Sequence, residues 1–139
     1  MHAYLALVDL SRDTVDEDLL RALPRADAIR EMAERYHRSE LRVRLAASSG
    51  LRREVPLTFV DDDAIVHGVV DLIFEEPNGS MTILDWKTDR LEMTDPEQRA
   101  ENYRSQLASY GRGVKLAMNL KEAPNTVVHF LRRDVTVNL

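Results

Sequence analysis

Two short stretches of this chain of 139 residues carry residue types whose spacing suits chemistry: Gly68-Val69-Val70-Asp71 and, further on, Ile83-Leu84-Asp85-Trp86-Lys87-Thr88-Asp89. In an extended strand alternate side chains share a face, which sets Asp85 and Lys87 on one side, about 7 Å apart, and turns Trp86 to the other. On the preceding strand Val66, Val70, Leu72 and Phe74 share a face and leave Asp71 opposite. If hairpin pairing brings Asp71 and Asp85 together, two carboxylates and an ammonium converge beside Gly68, where a ligand can approach the backbone. Oxygen donors of this kind suit Mg²⁺ or Mn²⁺ and not Zn²⁺. The chemistry they fit is hydrolysis of a phosphodiester, with the lysine as a compact positive charge beside the reacting phosphate. An Asp-x-Lys pair on a strand end is also an ordinary surface ion pair, so spacing alone leaves both readings open.

The elements that must hold these residues follow from hydrophobic period and breakers. A short helix is expected over 2–10. A second follows Pro24 over 25–37, where Ala28, Met32, Ala33 and Tyr36 recur at helical spacing, and a third piece around Leu41 to Ala46 ends at Ser48-Ser49-Gly50. The period then changes to that of strands: 53–60, a turn at Asp61-Asp62-Asp63, 64–74, a turn at Pro77-Asn78-Gly79-Ser80, and 81–87. These three form an antiparallel meander. A long amphipathic helix is expected over 97–118, with a kink or early end near Tyr110 because Gly111 and Gly113 interrupt it. A strand at 127–131 and another at 135–137 complete an α/β chain of mixed α+β character, with helices first, then three strands, a long helix and one or two further strands.

Composition sets the limits. A 15.9 kDa chain with 44% hydrophobic residues supports one compact domain over 1–139. It has no cysteine, which excludes disulfides, thiolate zinc sites and iron–sulfur clusters. The apolar runs fall far short of a bilayer span, and MHAYLALVDL lacks the basic start and cleavage site of a signal peptide, so no membrane association and a cytoplasmic location are expected. A net charge of −5 taken alone speaks against binding DNA. The acidity is local, however: the charge is −7 through Asp89 and +2 beyond it, where Arg99, Arg104, Arg112 and Lys115 can meet phosphates.

The ordered set Glu54-Val55-Pro56, Gly68-x-x-Asp71, Ile83 to Asp89 and Tyr103-x-x-Gln106-Leu107-x-x-Tyr110 resembles the nuclease domain of the RecB/AddA group, within the PD-(D/E)xK nuclease superfamily. That group ordinarily sits at the C-terminus of a UvrD-like helicase. The resemblance implies a restriction-endonuclease-like core and a Mg²⁺-dependent deoxyribonuclease, with Mn²⁺ as a substitute, that acts in DNA end processing and recombinational repair. It makes Asp71 and Asp85 the metal-binding carboxylates, the Trp86 carbonyl a further ligand and Lys87 the catalytic lysine. It makes Glu54 an acidic contributor on the first strand, and Gln106 and Tyr110 a pair that reaches DNA or supports the site. His2 matches a metal-ligating histidine of the family's first helix, without the Gly-Thr that precedes it there. The partners implied are DNA and helicase motor domains, in the same parent chain or in a partner protein. The 139 residues contain no Gly-x-x-x-x-Gly-Lys-Thr/Ser phosphate loop, so the motor lies outside them.

Each of these residues has a plainer reading: a free terminal histidine for His2, a cross-strand pair with Arg52 or Arg53 for Glu54, a core tyrosine for Tyr110. His67 is expected to be structural. The alternative to an enzyme is a catalytically silent nuclease fold that binds DNA or a partner subunit.

Overall fold

The computed structural model of the chain describes residues 1–139. Its centre is a five-stranded sheet built from β1 (Ser49–Asp61), β2 (Ala64–Glu75), β3 (Met81–Lys87), β4 (Asn125–Phe130) and β5 (Val135–Asn138). The strands lie in sequence order, antiparallel except for the parallel pair β3–β4. A parallel neighbour requires a crossover, and two helices supply it: α5 (Pro96–Glu101) and α6 (Arg104–Ala117). Ahead of the sheet come α1 (His2–Leu7), α2 (Glu17–Ala22), α3 (Ala26–Arg38) and α4 (Glu40–Ala46).

The two sides of the sheet bury different sets. On the side of α1 to α4, Leu72, Phe74, Leu84 and Trp86 pack with Tyr4, Tyr36 and further apolar residues of the helices. On the other, Ile73, Ile83, Val128 and Phe130 pack with Leu107 and Val114 of α6. The expectation that Val70 lies with Leu72 and Phe74 fails: Val70 belongs to the α6 side with Leu57. The crossing coincides with Glu54, whose φ of 49° is left-handed, and the β1–β2 ladder skips it between the Arg53–Leu72 and Val55–Val70 pairs.

The expected helix over 2–10 ends at Leu7, because Val8 is already extended. The six residues of α2, capped by Asp16 accepting from the Leu19 N–H, are too few for periodicity to reveal. The single long helix over 97–118 is corrected to two, broken at Asn102-Tyr103 and continuous through Gly111 and Gly113. Those glycines serve contact instead of a kink: a Cβ on Gly113 would lie 2.5 Å from the Phe59 ring, so α6 could not settle on β1 with any larger residue there. No helix is long and apolar enough to cross a membrane.

Candidate active site

The candidate residues meet where α1 begins and β3 ends. The β2–β3 register sets Leu72 opposite Leu84, and one step further along it Asp71 comes beside Asp85. Trp86 fixes the rotation of β3. Its ring is buried edge-on against Tyr36 and His129, each 5.7 Å between centroids, which turns Asp85 and Lys87 to the opposite side. The parallel partner β4 sets Lys87 opposite Phe130, and the Leu131 N–H donates to the Lys87 carbonyl at 2.9 Å.

Around this strand end the polar atoms converge. The Trp86 N–H donates to Asp71 Oδ2 at 2.7 Å, while His2 Nε2 lies 2.8 Å from the Trp86 carbonyl oxygen and 3.8 Å from the same Asp71 oxygen. Lys87 Nζ stands 2.7 Å from Asp85 Oδ2. Charge pairs them, but the angle does not make a hydrogen bond, and Asp85 Oδ2 is a buried oxygen without a hydrogen-bond partner. Burial pushes the Asp71 carboxyl above the usual carboxylate range; the Trp86 N–H bond and His2 pull it back, and the like charges of Asp85 and Glu54 push it further up. The two carboxylates thus share one ammonium, Lys87, which is paired with Asp85. No three His, Asp or Glu side chains form a metal-holding cluster by themselves, so any such set must draw on the Trp86 carbonyl.

His2 is half-exposed, yet its helix is anchored. Tyr4, two residues on, is fully buried; its hydroxyl donates to His37 Nε2 at 2.7 Å and accepts the Asp16 N–H at 3.0 Å. His37 Nδ1 lies 2.7 Å from the Arg12 carbonyl, which can only accept, so Nδ1 carries a proton and donates it. Every member of this network has a partner, and α1 is held by it. Glu54 is exposed at its left-handed bend and makes no ion pair with Arg52 or Arg53; Arg53 instead donates to the Ala6 carbonyl of α1 at 3.0 Å.

Gln106 and Tyr110 lie apart from the carboxylates. Gln106 Nε2 donates to the Tyr110 hydroxyl at 3.2 Å, and that hydroxyl covers Gly68, where a Cβ would come within 2.3 Å of it. Gly68 is thus filled by a tyrosine of this chain and not left open for a ligand. His67 hydrogen-bonds Thr58 across the hairpin at 3.0 Å.

The structure adds residues to which sequence reasoning gave no role. The Tyr103 ring lies 4.2 Å below Lys87 Nζ, and its hydroxyl donates to Asp89 Oδ2 at 2.7 Å, which also accepts from Arg99 Nε at 2.8 Å. The alternation Asp85, Lys87, Asp89 was a signal for Asp89; nothing in the sequence indicates that a break between two helices aims Tyr103 at the lysine.

Comparison with known proteins places the chain in a family. The family model described as the PD-(D/E)XK nuclease superfamily matches residues 2–134. Among curated proteins, the chain is 34% identical over 92 residues to an ATP-dependent helicase/nuclease subunit of Anoxybacillus flavithermus, covering 62% of this chain and 7% of the relative. It is 26% identical over 145 residues to the protein of the same name from Acetivibrio thermocellus, covering 87% and 12%. For that from Lysinibacillus sphaericus it is 30% identical over 108 residues, covering 68% and 9%. The chain therefore spans about a tenth of the length of these relatives. With nearly all of its residues matched by the family model, on a mixed sheet that gathers Asp71, Asp85 and Lys87 at one strand end, the chain belongs to the PD-(D/E)XK nuclease superfamily.

Proposed function

We propose that this chain is a divalent-cation-dependent deoxyribonuclease module, one folded unit of a larger helicase–nuclease that processes DNA ends in the cytoplasm. The observation that carries this reading is the convergence at one strand end of Asp71 Oδ2, the Trp86 carbonyl, His2 Nε2 and the Asp85–Lys87 ion pair. Two crowded carboxylates with one ammonium fit a cation better than they fit each other. Asp71, Asp85, the Trp86 carbonyl and His2 Nε2 are the donors that would hold it, a mainly oxygen set suited to Mg²⁺ or Mn²⁺. Such a cation, when bound, polarises the phosphate and lowers the pKa of water.

The chain's own groups supply the rest. Lys87, held between Asp85 and the Tyr103 ring, offsets the charge that grows on the phosphoryl oxygens. Glu54, on the neighbouring strand, accepts a hydrogen bond from the attacking water and orients it. The water oxygen bonds to phosphorus and gives up a proton to solvent, the P–O3′ bond breaks and the leaving O3′ takes a proton from solvent, which leaves a 5′-phosphate and a 3′-hydroxyl. Gln106 and Tyr110 brace Gly68 and the hairpin that carries Asp71. The relatives are named as ATP-dependent helicase/nuclease subunits, which supports a motor that delivers the strand from elsewhere in the parent protein or its partner.

The test is cleavage of single-stranded and duplex DNA in Mg²⁺ or Mn²⁺ and again in chelator. Wild type is expected to cut only with metal, and Asp85→Asn not at all. Cutting in chelator, or equal cutting by Asp85→Asn, would overturn the reading; binding without cutting by wild type would identify a silent nuclease fold.

A further inference from the structure

We propose that a cavity next to the candidate active site, with Arg25 and Arg132 in its wall, receives a backbone phosphate of the nucleic-acid strand adjoining the one to be cut. This inference rests on the nuclease reading above and assigns it a strand-binding site.

The cavity has a volume of about 220 Å³. Thr88, the residue after Lys87, lines it, as does Met1, the residue before His2. It therefore opens on the α1 to α4 side of the sheet, one residue along the chain from both Lys87 and His2, at the carboxyl ends of the parallel strands β3 and β4, the position at which open sheets of this kind receive ligands. Its floor includes the apolar side chains of Ile29 and Met32, and its charged side chains are the two arginines; no carboxylate lines it. That is unusual in a chain with 24 Asp and Glu, where eight other arginines are held in ion pairs.

The two guanidiniums are set up differently. Arg132 is aimed by its Nε, which donates to the Thr88 carbonyl at 2.7 Å. One edge is thus spent on the strand that carries Lys87, and the terminal nitrogens remain for an anion. Arg25 sits at φ 62°, a left-handed conformation that a glycine would adopt at lower cost. Two unneutralised guanidiniums at one mouth repel each other and match the charge and forked geometry of a phosphate. With the scissile phosphate at Asp71, Asp85 and Lys87, the ligand class that reaches both places at once is a polynucleotide backbone.

The test measures equilibrium binding of a labelled single-stranded oligonucleotide in Mg²⁺, on a Lys87→Ala background, over a range of salt. Arg25→Ala with Arg132→Ala is expected to weaken binding about tenfold and to lower the salt slope by roughly 1, as loss of one or two phosphate contacts requires. Arg21→Ala, which does not line the cavity and is already paired with Asp18, is expected to change binding less than about twofold. Arg25→Gly separates site from scaffold: it is expected to melt no lower than the parent protein and still to bind more weakly. Replacement of single linkages by uncharged methylphosphonate should locate one flanking phosphate whose neutralisation weakens the parent but not the double arginine variant. Unchanged affinity and salt slope in the double variant, or no oligonucleotide binding by the parent, would overturn the proposal. Wild-type cutting with arginine-independent binding would remove the cavity's role and leave the nuclease reading intact; arginine-dependent binding without wild-type cutting would do the reverse.

Discussion

On the α1 to α4 side of the sheet, 17 buried residues close into one apolar cluster, and the Tyr4 hydroxyl among them and the buried His37 beside it satisfy each other and the backbone. On the α5–α6 side only 11 do so, and the row that Ile83 begins along β3 continues as Asp85 and Lys87, with a carboxylate oxygen left without a hydrogen-bond partner. The same strand therefore serves stability through Leu84 and Trp86 and chemistry through Asp85 and Lys87. The period of two along a strand makes that division possible. It also means that neighbours in sequence should respond oppositely to substitution.

The sharpest break of this contrast is to truncate adjacent residues. Leu84→Ala, in the closed cluster, should cost about 2–5 kcal/mol of unfolding free energy in urea. Asp85→Ala, one residue on, should cost less than Leu84→Ala, because it opens no apolar cavity and frees Asp71 of a like charge as it leaves Lys87 unpaired, while it removes cleavage. Equal destabilisation by the two would erase the distinction between the faces.

A second prediction concerns His129, whose ring is buried against Trp86 and whose pKa burial lowers to about 4. Asp134 Oδ1, 3.6 Å away, is outside hydrogen-bond reach and does not restore it. In the unfolded chain histidine titrates near 6.5, so between those values the unfolded state binds a proton that the folded state refuses. This contribution to stability is complete above pH ~6.5 and falls as the pH drops, by roughly 3 kcal/mol at its limit. Denaturant unfolding from pH 7 to 4 should show the slope in the wild type and a flatter one in His129→Gln.

The smallest expected effect lies at the charged row's margin. Tyr103→Leu removes the ring beneath Lys87 and should slow cleavage several-fold, consistent with a cation–π contribution of about 1 kcal/mol, with little change in substrate affinity. Tyr103→Phe keeps the ring, loses only the bond to Asp89, and should recover most of the rate. A Phe variant as slow as Leu would assign the effect to Asp89.

Much of this was legible in the residues. Strand alternation placed Trp86 opposite Asp85 and Lys87, and the turn at Asn78-Gly79 fixed the meander, because both are local rules. The parts that escaped are tertiary. The helix break at Tyr103 depends on Lys87 and Asp89, which lie on another element. The displacement of Val70 from the Leu72 face depends on the bend at Glu54, a residue with no local preference for a positive φ. Gly68 read as an opening for a ligand because its partner, the Tyr110 hydroxyl, lies 42 residues away in a helix whose packing periodicity does not specify. The roles of Asp71, Asp85, Lys87, Glu54, His2 and the Trp86 carbonyl came from resemblance, since no local pattern distinguishes them from surface ion pairs.

The central claim is that the charged end of β3 is a phosphodiester-cleaving site, and Lys87→Ala tests it most directly because Lys87 is partly exposed and its loss opens no core cavity. Single-turnover cleavage of a labelled DNA strand in Mg²⁺, with melting followed in parallel to confirm that the variant is folded at the assay temperature, should show a loss of about a hundredfold or more in rate. Cleavage by Lys87→Ala at the wild-type rate would contradict the account.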